Sequence, residues 1–249
     1  MKIATWNVNG IRARQDEVAA FVAREQPDVL CLQEIKAAVD HIPKTVGDIP
    51  GYWSYWHGTK GYSGVALLVR KELAPDRPLF VHPEFDHETR IAATTVGGLL
   101  VASIYVPNGG KDFAAKVGFL EAMAAYAGGL CALGTKVILC GDLNVARAPI
   151  DVNSRDRDER AIGQRPDERA LFERILNEGG LHDVAREREP DNDALFTWWA
   201  PWRNLRQRNL GWRIDYLLVS GDLAAVVESC VSQREVGTSD HAPLVATFR

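Results

Sequence analysis

Residues 61–110 read GYSGVALLVRKELAPDRPLFVHPEFDHETRIAATTVGGLLVASIYVPNGG. Short runs rich in Val, Ile and Leu, such as Val65 to Val69 and Leu99 to Val106, are separated by clusters of Gly, Pro, Asn and Asp, the pattern of strands joined by turns. Residues 50–110 carry strand and turn signals only, whereas a doubly wound parallel sheet needs a helix after nearly every strand. The stretch therefore predicts a layered α/β or α+β architecture with paired sheets. Further strands are expected at Ile3 to Trp6, Val29 to Leu32, Val137 to Cys140, Ile214 to Val219 and Leu244 to Phe248. Three segments have helical spacing. Asp16 is placed to cap a helix carrying Val18, Phe21 and Val22, which Pro27 stops. Asp112 caps a second, with Phe113, Val117, Leu120, Ala124 and Ala127 on one stripe. Pro166 and Asp167 open a third, with Leu171, Phe172, Ile175 and Leu176 buried and Gly179 past its end.

With 249 residues, 46% hydrophobic and 25% charged, the chain has an ordinary soluble composition and the length for one domain over 1–249. Disorder, collagen-like repeats and a disulfide scaffold are excluded. No apolar run reaches the ~18 residues of a membrane span, and the N-terminus shows no basic-then-apolar leader, so a soluble, cytoplasmic protein is expected. The four cysteines, Cys31, Cys131, Cys140 and Cys230, are never paired as CxxC and read as structural thiols. Trp6 and Trp53 are expected in the core. The net charge of −4 argues against a protein that coats polyanions. Its distribution is uneven: Arg203, Arg206, Arg208 and Arg213 share a stretch without any acid, interleaved with Trp198, Trp199, Trp202 and Trp212. Interleaved Arg and Trp in a turn-rich segment is a nucleic-acid signal. The six arginines between Arg155 and Arg174 are matched by six acids and read as a solvated surface.

Polar residues at the ends of apolar strands carry the chemistry. Asn7 and Asn9 follow the first strand in TWNVNG, Glu34 ends the second in DVLCLQE, and Asp142 and Asn144 end another in ILCGDLNV. Residues two apart on an extended chain share a face, so each pair is expected side by side. Asp215 in WRIDYLL and the adjacent Asp240 and His241 in SDHAPL complete the set. Any one pair alone is an ordinary turn, and a lone histidine is more often structural. Together these carboxylates, amides and one imidazole suit a phosphoester site built around a hard cation, since Mg²⁺ takes one or two protein carboxylates plus water and phosphate. No P-loop, GxGxxG or HExxH motif competes.

The set resembles the exonuclease III family of AP endonucleases, within the wider endonuclease/exonuclease/phosphatase superfamily. The resemblance runs through WNVNGIRAR at 6–14, PDVLCLQEIK at 27–36, GYSGVALLVR at 61–70, YVPNG at 105–109, GDLNVA at 141–146, PDER at 166–169, NLGWRIDYLLVS at 209–220 and SDHAPLVATF at 239–248. It implies a four-layer α/β sandwich, two mixed β-sheets packed face to face with flanking helices. It also implies a Mg²⁺-dependent nuclease, with Mn²⁺ as an alternative ion, that cuts duplex DNA 5′ to abasic sites and at blocked or recessed 3′ ends, working as a monomer. By the same resemblance Glu34 is the principal metal ligand, with Asn7, Asn9 and Asp240 close to the ion and Asp142 and Asn144 in the same group. Asp142 activates water, Asn144, Tyr105 and Asn108 hold the phosphate, and Asp215 orients His241. Trp198, Trp212 and Ile214 line a pocket for a flipped-out abasic sugar, and Lys111, Trp202 and Arg206 contact DNA.

Three positions depart from the family pattern: Asn9 where some members carry Asp, Gln164 in place of a large aromatic, and Lys111 where some relatives place an arginine. They leave open the balance between abasic-site incision and 3′-end trimming. Two other functions compete with this one. Superfamily relatives that cleave lipid or inositol phosphates share the metal site but not the NLGWRID strip. The catabolite repression control protein, an RNA-associated regulator, has a similar strip but eroded catalytic positions, whereas Glu34, Asp142, Asn144, Asp240 and His241 are all present here.

Overall fold

The computed structural model describes residues 1–249. In chain order its elements are β1 (Lys2–Asn7), α1 (Ile11–Glu25), β2 (Val29–Gln33), α2 (Lys44–Gly47), β3 (Tyr52–His57), β4 (Val65–Arg70), β5 (Phe80–Val81), β6 (Ile91–Val96) and β7 (Leu99–Tyr105). There follow α3 (Phe113–Ala132), β8 (Lys136–Asp142), α4 (Pro166–Gly179), β9 (Leu181–Asp183), α5 (Val184–Arg188), β10 (Asp215–Ser220), α6 (Gly221–Ala224), β11 (Val227–Ser232) and β12 (Leu244–Phe248).

Two six-stranded sheets form, in the orders β11-β12-β1-β2-β4-β3 and β5-β6-β7-β8-β10-β9. Each is mixed: β1–β2 and β7–β8 are parallel, and the remaining pairs are antiparallel. The strand period of two sorts side chains into layers. Ile3, Val29, Cys31 and Leu67 meet Val101, Ile138, Cys140 and Leu217 between the sheets. Ala4, Trp6, Leu30 and Leu32 point the other way and pack on Phe21 and Val22 of α1. Leu139, Tyr216 and Leu218 face Phe119 and Leu120 of α3 and Phe172 and Ile175 of α4. The result is helix, sheet, sheet, helix: the four-layer α/β sandwich expected. No helix is long and apolar enough to cross a membrane.

The inner layer turns polar towards one end. Thr5, Gln33 and Ser103 form a buried chain there, with Gln33 Nε2 donating to Thr5 Oγ1 and to Ser103 Oγ at 2.9 Å each. One level further, on the same faces, stand Asn7, Tyr105, Asp142 and Asp215. The register explains the gathering: Tyr105 pairs with Asp142, Asp142 with Asp215, and β12 runs antiparallel to β1, so its preceding residues Asp240 and His241 return to the same end.

Some local expectations need correction. Helix α1 opens at Ile11, upstream of Asp16, because the N–H groups of Gly10 and Ile11 donate to the carbonyls of Glu34 and Ile35, which makes a side-chain cap unnecessary. The buried face of α3 includes Lys116 and Phe119 rather than Phe113 and Val117. Asp112 does cap that helix, accepting from the Ala115 N–H at 2.9 Å. Helix α4 includes Gly179, and Gly180, with φ 56°, is the left-handed residue that ends it. Trp6 is fully buried, but Trp53 is half-buried, its Nε1 donating to the Ala74 carbonyl and its ring 4.5 Å from the Lys71 ammonium. All four cysteines are free; Cys131 is exposed and the others are buried.

Candidate active site

The strand ends open into a cleft of about 390 Å³. Asn9, Glu34, Tyr105, Asn108, Asp142, Asn144, Trp198, Trp212, Ile214, Asp240 and His241 all line it, together with Lys36, Ile162 and Gly163. Asn7 and Asp215 stand directly behind: Asn7 Nδ2 donates to Asp142 Oδ2 at 2.9 Å, and Asp215 Oδ2 lies 2.9 Å from His241 Nδ1.

The pairs Asn7/Asn9 and Asp142/Asn144 are side by side for a reason other than extended geometry. Each strand stops at its first member, and the second adopts a left-handed backbone, φ 44° at Asn9 and φ 52° at Asn144. In both, the first side chain accepts the second residue's N–H, at 3.0 and 2.9 Å. These are two matching Asx turns, one in each sheet, and Asn is a residue that tolerates this conformation. Gly141, just before Asp142, has φ 140°, and a Cβ there would collide with the Ile104 carbonyl of β7. Only glycine lets the two strands close up behind the carboxylate.

Electrostatics sharpen the arrangement. Burial raises the Asp142 carboxyl most and Asp215 adds to it, against His241, the Asn7 amide and the Asn144 N–H, leaving it at about 7. Burial would lower His241, but the carboxylates of Asp215 and Asp142 outweigh it and push the imidazole up to about 10. His241 Nε2 lies 3.9 Å from Asp142 Oδ2, too long for a hydrogen bond, so its proton stays available to the cleft. Burial tends to raise the Asp240 carboxyl, yet His241, Asn9 and Trp198 hold it below its ordinary value.

Lys36 Nζ lies 2.8 Å from Glu34 Oε1 and 2.6 Å from Asn9 Oδ1. These oxygens converge on a cation, and with Asp240, joined to Asn9 Nδ2 at 2.7 Å, they form the all-oxygen donor set a hard divalent ion requires. The residues present fit such an ion. Trp198, whose Nε1 donates to Asp240 Oδ2 at 3.1 Å, begins an adjoining apolar patch: it meets Trp212 edge to face, centroids 5.7 Å apart, and both pack with Ile214 on Ala146 and Val152.

Residues 4–241 match the Endonuclease/Exonuclease/phosphatase family. The chain belongs to that family. It is 35% identical to the DNA repair nuclease APEX1 of Danio rerio, over 98% of this chain and 81% of that protein. It is 34% identical to the exodeoxyribonuclease of Bacillus subtilis, over 98% of each. Among solved structures it resembles the 3′ phosphatase NExo from Neisseria bound to product DNA hairpin, with TM-score 0.90 and 33% identity, covering 100% of this chain and 99% of that one.

As a member of the Endonuclease/Exonuclease/phosphatase family, the chain departs from its sequence reading mainly in the Arg/Trp strip. Trp202 is 60% exposed but lies outside the cleft, beside Arg14 and Gln207. Lys111 is exposed and lines an adjoining hollow with Asn108 and Arg90. Arg206 faces inward: its guanidinium donates to the carbonyls of Arg234, Val236 and Ser239 and lies over Trp199. It braces the SDHAP loop and has little left to offer a phosphate. Arg213 is buried between Asp151 and Asp183, with four hydrogen bonds of 2.7–3.0 Å. Arg203 and Arg208 alone of the four are exposed. Gln164 also turns inward, tying Asp156 and Asp158 through its amide.

Lys36 and Lys116 are the residues the sequence reading missed. Lys36 had a signal, two positions after Glu34. Lys116 did not, since a lysine on a helix is ordinarily solvated. It is fully buried, 2.5 Å from Glu168 Oε1, and donates to the carbonyls of Asn144 at 2.7 Å and Asn108 at 3.3 Å. Glu168 Oε2 in turn accepts the Gly163 N–H at 2.7 Å. One ion pair thus fastens three loops of the cleft. Lys116→Met is expected to cost about 3–5 kcal/mol of unfolding free energy by stranding the carboxylate, whereas Lys116→Met combined with Glu168→Leu restores most of it. Urea denaturation of both variants checks this, and equal losses would refute it.

Proposed function

We propose that this chain is a DNA repair nuclease that hydrolyses phosphodiesters 5′ to abasic sites and at blocked or recessed 3′ ends of duplex DNA, with Mg²⁺ in the site and Mn²⁺ as an alternative. The observation that carries this is the pairing, in one cleft, of a hydrolytic wall (Asp142, Asn144, His241) with an apolar wall (Trp198, Trp212, Ile214). The first does chemistry on a phosphate. The second suits a sugar that has lost its base, which gives up little stacking on leaving the helix. The DNA substrates named for the family relatives support the reading. We also place the activity in one domain spanning 1–249, acting as a cytoplasmic monomer.

A carboxyl near 7 is matched to taking a proton from water near neutral pH. Asp142 then aligns that water for in-line attack on the phosphorus, held in place by Asn7 Nδ2 and the Asn144 N–H. His241, kept cationic by Asp215, directs Nε2–H at a phosphate oxygen, and the Asn108 and Tyr105 side chains add donors where negative charge grows. Asn144 Nδ2 is tied to the Val106 carbonyl at 2.9 Å, which fixes its amide in the cleft. Glu34, Asn9 and Asp240 would hold the metal ion. When bound, the ion neutralises the phosphate and stabilises the departing 3′-oxygen.

A 5′-labelled duplex with one central tetrahydrofuran abasic analogue, incubated with and without Mg²⁺, tests the proposal. A single Mg²⁺-dependent nick at the analogue is expected; a 3′-end ladder without the nick would remove the abasic activity. Trp212→Ala is expected to reduce that nick selectively, by about 2 kcal/mol or roughly thirtyfold, through lost apolar contact with the sugar. Equal losses on the analogue and on a recessed 3′ end would contradict the pocket.

A further inference from the structure

The sandwich has a second cluster of chemically able side chains, on the edge where β3 of one sheet meets β5 of the other. His57 ends β3, His82 follows β5, and Asp86 lies in the loop leading to β6. His57 Nε2 is 2.6 Å from Asp86 Oδ2, and His82 Nδ1 is 3.9 Å from the same oxygen. The two imidazoles lie face to face, centroids 3.8 Å apart and planes 23° from parallel. One ligating atom from each of the three residues lies within 4.8 Å of the other two. None of these side chains belongs to the cleft.

We propose that His57, His82 and Asp86 bind a borderline divalent transition cation of the Zn²⁺ type. Two imidazoles and one carboxylate make a donor set such an ion favours and Mg²⁺ does not. Tetrahedral ligands at about 2.0–2.1 Å from zinc stand roughly 3.3 Å apart, so binding draws the ligating atoms together and splays the stacked rings. The surroundings already orient the carboxylate. Asp86 Oδ1 accepts the N–H groups of Arg90 and Ile91 at 2.8 and 2.9 Å, which aims Oδ2 at the histidines. His82 Nε2 is 2.6 Å from the Tyr55 hydroxyl, and Nδ1 is 2.8 Å from the Ile91 carbonyl. In the free chain Nδ1–H therefore donates to that carbonyl; ion binding turns the ring away from it and moves the ring proton to Nε2, where the Tyr55 oxygen accepts it. His57 Nε2, which donates to Asp86 Oδ2 in the free chain, likewise passes its proton to Nδ1 to offer its lone pair. In each ring the proton ends on the nitrogen that faces away from the ion. With side chains 21%, 28% and 10% exposed, the group is reachable by an ion yet sheltered.

The position gives the ion a task. β3 and β5 are the free edges of their sheets, joined here by the Tyr55–Phe80 stack at 4.6 Å. An ion held by His57 from one sheet and by His82 and Asp86 from the other would cross-link them and stabilise the folded chain by an amount that grows with the logarithm of the free ion concentration above its Kd.

The test uses the full chain with excess Mg²⁺, which competes for the oxygen-rich cleft. Co²⁺ serves as a spectroscopic probe and Zn²⁺ as a competitor. One equivalent of Co²⁺ should give a visible d–d band that Zn²⁺ displaces, and Zn²⁺ should raise Tm. His82→Gln should weaken binding at least about tenfold and abolish the Tm rise, whereas Glu34→Gln, at the metal ligands of the cleft, should leave the band unchanged. A band lost in Glu34→Gln or kept in His82→Gln would place the ion elsewhere than in this cluster and overturn the proposal, as would the absence of stoichiometric binding. A measurement without any substitution guards against misfolding: Zn²⁺ should protect His57 and His82 of the unaltered chain from diethyl pyrocarbonate, read by peptide mass spectrometry. Undiminished modification of both would equally overturn it.

Discussion

Asp142→Asn is expected to lower turnover of an abasic duplex by about 10²–10⁴-fold, the range a positioned general base contributes, while DNA affinity is kept. The amide cannot take the proton from water. Its single carbonyl oxygen accepts from Asn7 Nδ2 or from the Asn144 N–H but not both, so one hydrogen bond of the two is lost. Affinity survives because one negative charge facing the phosphate is removed and no donor is lost. Single-turnover cleavage and equilibrium binding on the same duplex separate the two effects, and turnover within tenfold of the unaltered chain would dismiss Asp142 as the base. His241 should respond as well: with one of its two flanking carboxylates gone, the imidazole loses part of what holds it near 10. Its titration, followed by NMR, should move down.

Arg213→Met is expected to be the most destabilising of these single changes. The guanidinium is the only charge between Asp151 and Asp183 that serves both carboxylates bidentately. Removing one member of a buried pair costs about 3–5 kcal/mol, and here two carboxylates lose their partner, against a total stability of roughly 5–15 kcal/mol for a domain. Thermal unfolding should show a fall in Tm of many degrees; a fall of only one or two would mean that Arg186 and Arg147 compensate. The cluster also sets an acid limit. Burial by itself would raise the Asp151 carboxyl, but Arg213 and Arg186 hold it below its ordinary value. A depressed folded value contributes stability that is complete above the unfolded value of about 3.9 and is withdrawn as pH falls through the folded one. Asp151→Asn should flatten that part of the acid branch in a Tm-against-pH series.

The layers and nearly all cleft residues were legible because they follow from local pattern. Strand ends gave Asn7, Asn9, Glu34, Asp142 and Asn144, and the blocks shared with the family added Tyr105 and supplied the roles expected of the set. What was not legible depended on distant partners. Nothing local distinguishes Arg213, locked between two carboxylates, from Arg208, exposed in the same strip. Arg206 reads as a phosphate contact until the carbonyls of Arg234, Val236 and Ser239 come round to meet it. Lys116 is silent for the same reason, since its partner Glu168 lies on another helix. Helix α1 starts early because the chain just after β2 supplies acceptors for its first N–H groups, a contact that no cap rule contains.

The Asn7–Asp142 hydrogen bond spans the seam between the two sheets, and so does the site. Asn7, Glu34 and Asp240 come with one sheet, while Tyr105, Asp142 and Asp215 come with the other. Asp240 and His241 come after all the others in chain order. A growing chain therefore lacks part of the site, and a half-folded one holds it unassembled. Cutting power is acquired only when both halves dock, so the architecture itself acts as a safety catch: an incompletely folded molecule is a harmless one for the DNA around it.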